Sequence, residues 1–163
     1  MEHNKKFPMK QKTISILLTI LMSMVGTKAF AHDIEVMNDD GVTIYYNYFN
    51  EGKELEVAGA TDYGDSLVIP EKVTFMNRER KVTSIGSYAL AWKYFKKVVL
   101  PPSIVYIQER AFSGSQLSSI NLPDNLKSIG AYAFEQCHIQ SINIPNSTNI
   151  IDEYAFANVS KRV

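Results

Sequence analysis

The segment Ile129-Gly-Ala-Tyr-Ala-Phe134 decides the fold, because closely similar segments occur at four places with a fixed spacing. Its counterparts, each 22 residues from the next, are Ile85-Gly-Ser-Tyr-Ala-Leu90, Ile107-Gln-Glu-Arg-Ala-Phe112 and Ile151-Asp-Glu-Tyr-Ala-Phe156. Other columns keep the same period: Phe95, Leu117 and Ile139; Val98, Ile120 and Ile142; Pro101, Pro123 and Pro145. A fixed period of this length is the signature of a protein that stacks one repeat on the next. The sequence therefore predicts a mainly β solenoid of 22-residue repeats.

Within one repeat, apolar and polar residues alternate just before the proline. Ile120 and Leu122 flank Asn121, which is the period of a strand with one buried face. Pro123 has no amide hydrogen to donate, so it ends that strand. The apolar residues that follow are predicted to point inward from the return segment and to close the coil: Leu126, Ile129, Ala133 and Phe134.

A glycine column marks the turn of each coil. Gly86 and Gly130 suit a tight turn with positive φ. Gln108 and Asp152 hold the same column in the other two repeats, so the turn does not strictly require glycine.

These residues resemble a known family. The segment Leu122-Pro-Asp-Asn-Leu-Lys-Ser-Ile-Gly-Ala-Tyr-Ala-Phe134 is similar to the phrase I-x-L-P-x-x-(L/V)-x-x-I-G-x-x-A-F of the BspA-like, or treponemal-type, leucine-rich repeats. Residues 144–156 are similar as well, with Thr148 in an apolar place and Asp152 in the glycine place. The resemblance runs from Ser66 to the end and implies a short leucine-rich-repeat solenoid. Members of this family are typically secreted or surface-bound in bacteria, and some are implicated in adhesion to host matrix proteins or other cells.

Residues 32–84 are predicted to form an N-terminal β cap and the segment that leads into the repeats. The alternation from Val42 to Tyr48 is typical of an amphipathic strand, Asn50–Lys53 of a turn, and Glu54–Val57 of a partner strand. Such a β-hairpin covers the apolar end of the first coil, which a solenoid requires. Residues around Thr74–Lys81 are an insertion relative to the repeat and are expected to form an exposed turn. The repeats then occupy residues 85–163, where a C-terminal cap is not evident.

The N-terminus is typical of an export signal. Four lysines between positions 5 and 12 precede a mostly apolar, uncharged stretch from Ile14 to Gly26. Ala29 and Ala31 then supply the small residues that signal peptidase requires, so we expect cleavage after Ala31 and removal of residues 1–31. As a helix the apolar stretch rises about 20 Å, too short for a hydrocarbon core of about 30 Å. The prediction is an exported protein, secreted or at the cell surface, with no membrane span after cleavage.

Charge and cysteine content exclude several classes of protein. The chain has 17 basic and 17 acidic residues, a balance that does not favour nucleic-acid binding. Residues 1–31 contain five Lys and one Glu, which leaves 12 basic and 16 acidic residues, a net charge of −4, after cleavage. A single cysteine excludes an internal disulfide framework and a multi-cysteine zinc site. Cys137 falls where a repeat column places a small buried group, so we interpret it as inert core.

Catalytic patterns are absent from the sequence, which predicts neither enzyme activity nor a cofactor or metal. Cys137 and His138 are adjacent, and neighbours in an extended segment point to opposite sides, so they do not form a nucleophile–base pair. The acidic pairs Asp39-Asp40 and Asp152-Glu153 lie at predicted turns and are interpreted as solvated surface. The sequence has no phosphate-binding glycine loop and no His-x-x-x-His zinc spacing.

The favoured functional hypothesis is a protein-binding or adhesion module, and the family resemblance implies a host matrix protein or a bacterial surface protein as its partner. Stacked strands align their outward residues into a ladder. The residues of this predicted ladder are Lys97, Val99, Ser119, Asn121, Ser141 and Asn143. Trp92, Tyr94 and Lys96 form an alternative patch, because aromatic residues are enriched among interface anchors, but their packing against the cap is an equal interpretation. The alternative functions are a truncated or purely structural repeat protein without its own partner, and a non-catalytic accessory module.

Overall fold

The computed structural model of the protein describes residues 32–61 and 64–159. The predicted signal peptide, residues 1–31, and its cleavage site lie outside the described residues. Strands and turns make up the described part, in which no α-helix occurs. The strands are β1 (Ile34–Met37), β2 (Thr43–Phe49), β3 (Glu54–Ala60), β4 (Ser66–Val68), β5 (Lys72–Phe75), β6 (Arg78–Ile85), β7 (Lys97–Val99), β8 (Tyr106–Ile107), β9 (Ser119–Asn121), β10 (Ser128–Ile129) and β11 (Ile150–Ile151).

Two sheets run along the stack of coils. The first has the strand order β1-β2-β3-β6-β8-β10-β11, with β5 paired to β6, and the second has the order β4-β7-β9. Strands from successive repeats pair in parallel, because each coil carries the chain back to the same place one step further on. The predicted mainly β repeat solenoid is confirmed.

The return segment of each repeat is also a strand, which the sequence analysis did not predict. One strand per repeat was predicted, at Ile120–Leu122, and the structure has β9 at Ser119–Asn121, one residue earlier. In the return segment the inward residues, such as Leu126 and Ile129, are three positions apart instead of two. That spacing hides the alternation by which an isolated strand is recognised.

Inward side chains from every repeat form one continuous apolar core. The rings of Phe112, Phe134 and Phe156 stack with centroid separations of 5.1 and 5.3 Å, so each coil contacts the next through the same column. Thr148, the polar residue of an otherwise apolar column, is accommodated because its Oγ1 donates to the carbonyl oxygen of Leu126 at 3.2 Å. Polar substitution there leaves no unpaired hydroxyl.

The predicted hairpin forms between β2 and β3, which pair antiparallel. Asn50, Glu51 and Gly52 make the turn with positive φ. β1 adds a further antiparallel strand on the outer side of β2, an element that the sequence analysis did not identify. On its other side β3 pairs in parallel with β6, so the hairpin continues the first sheet and adds its buried side chains to the core.

The insertion around Thr74–Lys81 is a second hairpin and not a simple exposed turn. β5 and β6 pair antiparallel, and the turn is confined to Met76 and Asn77, which have φ of 49° and 59°. Two consecutive residues with positive φ match the right-handed twist of the flanking strands, which is why a two-residue loop suffices. Most of the insertion is nevertheless exposed, as predicted.

The glycine column does not have the positive φ that the sequence analysis expected. A Cβ on Gly86 would lie 2.8 Å from the carbonyl oxygen of Val57, and one on Gly130 would lie 2.7 Å from the amide nitrogen of Glu109, so close backbone approach favours glycine here. Left-handed residues occur instead in two other columns of the turns: Tyr88, Arg110, Tyr132 and Tyr154; Trp92, Gly114, Gln136 and Asn158.

Candidate functional site

The predicted ladder lies on the second sheet. β7 and β9 pair in parallel, which places Lys97 beside Ser119 and Val99 beside Asn121. These four side chains are exposed, because Val98 and Ile120 between them point into the core. The first two rungs of the ladder are therefore aligned on one face.

The structure adds one rung to this ladder, and the last predicted rung lies outside the sheet. β4 pairs with β7, so Ser66 and Val68 precede Lys97 and Val99 on the same face. This rung was not predicted, because the insertion breaks the 22-residue period at that point. Ser141 and Asn143 are exposed, but residues 141–145 are not a strand and do not extend the sheet beyond β9.

The alternative patch lies in the segment that leads into β7, the middle strand of the same sheet. Trp92 and Tyr94 are 66% and 64% exposed. Lys96 is exposed as well, and its Nζ lies 3.1 Å from the Asp65 carboxylate. The indole of Trp92 covers Gly114, where a Cβ would come within 2.3 Å of the ring. Trp92 thus packs on the following repeat.

A second outward row crosses the first sheet. Parallel pairing aligns Ser84, Tyr106, Ser128 and Ile150, one from each repeat, of which Ser84 is buried and the other three are at least partly exposed. Glu56 of β3 continues the row into the cap. This face was not predicted, although its column recurs at the 22-residue period between two inward columns.

Glu56 joins the cap to the first two repeats through hydrogen bonds. Ser84 Oγ donates to Glu56 Oε2 at 3.4 Å, and Gln108 Nε2 also donates to that oxygen. Burial raises the pKa of the Glu56 carboxyl, and the hydrogen bonds from Ser84, Gln108 and Asn47 lower it, with burial the larger effect. The amide of Gln108 is occupied within this network, since it also donates to Ser84 Oγ at 3.1 Å.

Cys137 is fully buried in the core, as predicted. Its Sγ lies 3.2 Å from the carbonyl oxygen of Phe112 and 3.4 Å from Ser115 Oγ. Burial raises the pKa of the thiol to about 11, although the hydrogen bond with Ser115 lowers it. The thiolate is the reactive form, so a buried thiol with this pKa is a poor nucleophile at neutral pH.

The remaining polar candidates are dispersed over the surface. Asp39, Asp40, Asp152 and Glu153 are exposed, as predicted for solvated turns. Residues 32–61 and 64–159 contain no group of three or more His, Cys, Asp or Glu side chains that could hold a metal ion. Within the same ranges, no helix has the length and apolar character needed to cross a membrane.

Comparison with known proteins identifies a repeat family and solved structures that this chain resembles. The sequence profile of the BspA type leucine rich repeat region matches residues 83–162 in six copies. A leucine-rich repeat protein from Bacteroides capillosus is similar in structure, with a TM-score of 0.64 and 26% identity over 72% of this chain and 88% of that chain. A search of the curated proteins finds no match.

Two further solved structures share the fold. The Treponema pallidum leucine-rich repeat protein has a TM-score of 0.55 and 22% identity, over 70% of this chain and 64% of that one. A leucine-rich cell surface protein from Faecalibacterium prausnitzii has a TM-score of 0.59 and 19% identity, over 82% of this chain and 36% of that one. At these identities the likeness concerns the fold alone.

Parallel strands repeating every 22 residues around a core of Leu, Ile, Ala and Phe define a leucine-rich repeat protein. Within that class the repeat region, residues 83–162, is of the BspA type, the family whose model it matches. Repeats of this type are protein-interaction modules, in which stacked coils present a broad surface.

Proposed function

We propose that the protein is exported and acts outside the cell as a protein-binding or adhesion module. The observation that carries the proposal is the exposure of Trp92 and Tyr94 beside an aligned row of outward residues on the second sheet. Large aromatic side chains dominate the energetics of protein interfaces, and two of them exposed close together in sequence are well suited as anchors.

Trp92 is held in place before any partner binds. Its backbone has the left-handed φ of 59°, and its ring rests on Gly114 of the next repeat. A side chain already fixed by packing loses less conformational freedom on binding, which favours affinity. Trp92 is therefore the first anchor that we assign.

The ladder supplies the surroundings of this anchor. Lys97, Val99, Ser119 and Asn121 are small or flexible, and their row begins where the Trp92 segment ends. Contacts of this kind contribute little energy individually but exclude water around an anchor. The proposed surface thus combines both predicted patches, with the aromatic pair as its anchor.

The binding proposal is tested by capture on purified host matrix proteins and on intact bacterial cells. The full chain is compared with the double variant Trp92→Ala/Tyr94→Ala, with Asn121→Arg/Asn143→Arg, and with Tyr154→Ala as a control. Tyr154 is similarly exposed, at 59%, but lies in the fourth repeat. We expect the aromatic double variant to lose retention by about tenfold or more and the control to keep it. If the wild-type chain is retained by none of these surfaces, the binding proposal is wrong.

Export is tested separately on the protein produced in its bacterial host. Cleavage after Ala31 predicts a chain that begins at His32 and is recovered from the medium or from the cell surface. Mass spectrometry of the N-terminal peptide measures this directly. An intact chain that begins at Met1 and stays inside the cell contradicts export.

A further inference from the structure

The outward face of the first sheet has a depression over the third repeat. Ser128 of that repeat lies between Tyr106 of the second repeat and Ile150 of the fourth. The two larger side chains are 40% and 52% exposed, so both project outward on either side of the small serine. Because a small side chain lies between two large ones, the face has a trough at Ser128.

The trough continues along the chain in the next positions. Gly130 and Ala131 of the third repeat lie on its floor, with Glu109 of the second repeat and Asp152 of the fourth also lining it. Gly130 approaches the backbone of the second repeat so closely that no side chain fits between them. We call this depression the third-repeat trough, bounded by Tyr106, Glu109 and Asp152.

One wall of the trough is aromatic. Phe49 of β2 meets Tyr106 edge to face, with ring centroids 6.0 Å apart, and both rings line the trough. This contact fixes the tyrosine ring from the side of the cap and leaves part of it exposed. A partly exposed tyrosine ring with a fixed orientation is a surface on which a cation can stack.

The charge of the trough is negative. Among the described residues that line it, the charged ones are Glu109 and Asp152. Arg110, which follows Glu109 in the chain, is already engaged: its Nη1 lies 2.7 Å from Glu135 Oε2, and its guanidinium stacks at 4.1 Å over the ring of Tyr132. Its Nε is 3.7 Å from Glu109, a longer ion pair. Within the described part of the chain, Asp152 has no ion-pair partner.

The surroundings of Arg110 show which groups bind a guanidinium in this protein. It combines a stacked tyrosine ring with a carboxylate at hydrogen-bond distance, and the third-repeat trough offers the same two chemical groups to an outside cation. Arginine stacks on aromatic faces and pairs with carboxylates more effectively than lysine, because its guanidinium is planar. From this complementarity of shape and charge we infer that the third-repeat trough binds an arginine side chain on an extended segment of a protein partner. The inference rests on the proposed function, because it takes the occupant to be part of a protein partner.

The test uses the full chain and short synthetic peptides, so it does not depend on knowing the partner. Isothermal titration calorimetry at low salt measures binding of acetyl-Ser-Arg-Ser-Arg-Ser-amide and of the matched lysine and glutamate peptides. The variants are Glu109→Gln/Asp152→Asn, which removes the charge, and Ser128→Phe, which fills the trough and keeps the charge. Asp39→Asn/Asp40→Asn is the control, because it removes two exposed carboxylates outside the trough.

We expect the arginine peptide to bind the wild-type chain and both trough variants to weaken that binding by about tenfold or more, with the control unchanged. An equal loss in the control shows a general effect of net charge and overturns the inference. Equal binding of the lysine peptide overturns the assignment to arginine. Failure of the wild-type chain to bind the arginine peptide also overturns the inference. The proposed function is tested independently of this inference, by the capture experiment, which involves no peptide.

Discussion

The Phe112–Phe134–Phe156 stack gives the sharpest prediction about stability. Phe134 is fully buried at the centre of the stack and contacts a ring on each side, at 5.1 and 5.3 Å. Replacing a buried Phe with Ala typically costs about 3–5 kcal/mol. Two lost ring pairs, at about 0.5–1.5 kcal/mol each, put Phe134 in the upper part of that range. We therefore expect Phe134→Ala to lower the free energy of unfolding by about 4–5 kcal/mol.

Phe156→Ala is the matched control within the same column. Phe156 is only partly buried and has one ring neighbour, so its replacement removes less apolar contact and a single ring pair. We expect a loss of about 2 kcal/mol, roughly half of that at Phe134.

Urea unfolding of the full chain, followed by far-UV circular dichroism and by the fluorescence of Trp92, measures both values. Equal losses for Phe134→Ala and Phe156→Ala would show that the fourth repeat packs as tightly as the third. Such a result would refute the assignment of Phe134 to the centre of the stack.

Three further changes test other parts of the fold. Gly114→Ala should cost about 1 kcal/mol more in unfolding free energy than Gly41→Ala: both glycines have positive φ, but only Gly114 meets the Trp92 ring. Urea unfolding of both variants measures this difference, and Trp92 emission should shift in Gly114→Ala alone. Met76→Asn should stabilise the β5–β6 turn by about 0.5–1 kcal/mol in urea unfolding, because asparagine tolerates the φ of 49° better than methionine. Cys137 should resist alkylation in the native chain at pH 8 and react once urea unfolds it. Because its pKa rises from 9.0 to about 11 on folding, its contribution to stability is complete below pH 9 and is lost as the pH rises toward 11, a dependence that Cys137→Ser should lack.

The sequence predicted those features in which one residue type recurs at the same place of every coil. Ala133 and Phe134 have counterparts 22 residues away, and a column of buried residues can be recognised without knowing the path of the backbone. The hairpin of β2 and β3 was also predictable, since Val42 to Tyr48 alternate with the period of a strand and Gly52 marks the turn.

Features that depend on contacts between coils were not predictable in this way. Positive φ falls on Tyr132, which has no preference for that conformation, because neighbouring coils hold the turn in place. Close backbone approach at Gly130 similarly depends on the preceding coil. The third-repeat trough results from Ser128 lying beside Tyr106 and Ile150, three residues that are 22 positions apart and meet only in the sheet.

The measurement that tests the central proposal most directly is hydrogen exchange of the full chain, alone and bound to the protein that retains it in the capture experiment. A surface centred on Trp92 and Tyr94 predicts slower exchange on binding in residues 92–99 and 119–121, with the outer strand β1 unchanged. Protection confined to β1 and β2, with residues 92–99 unaffected, would contradict the assignment of the binding surface.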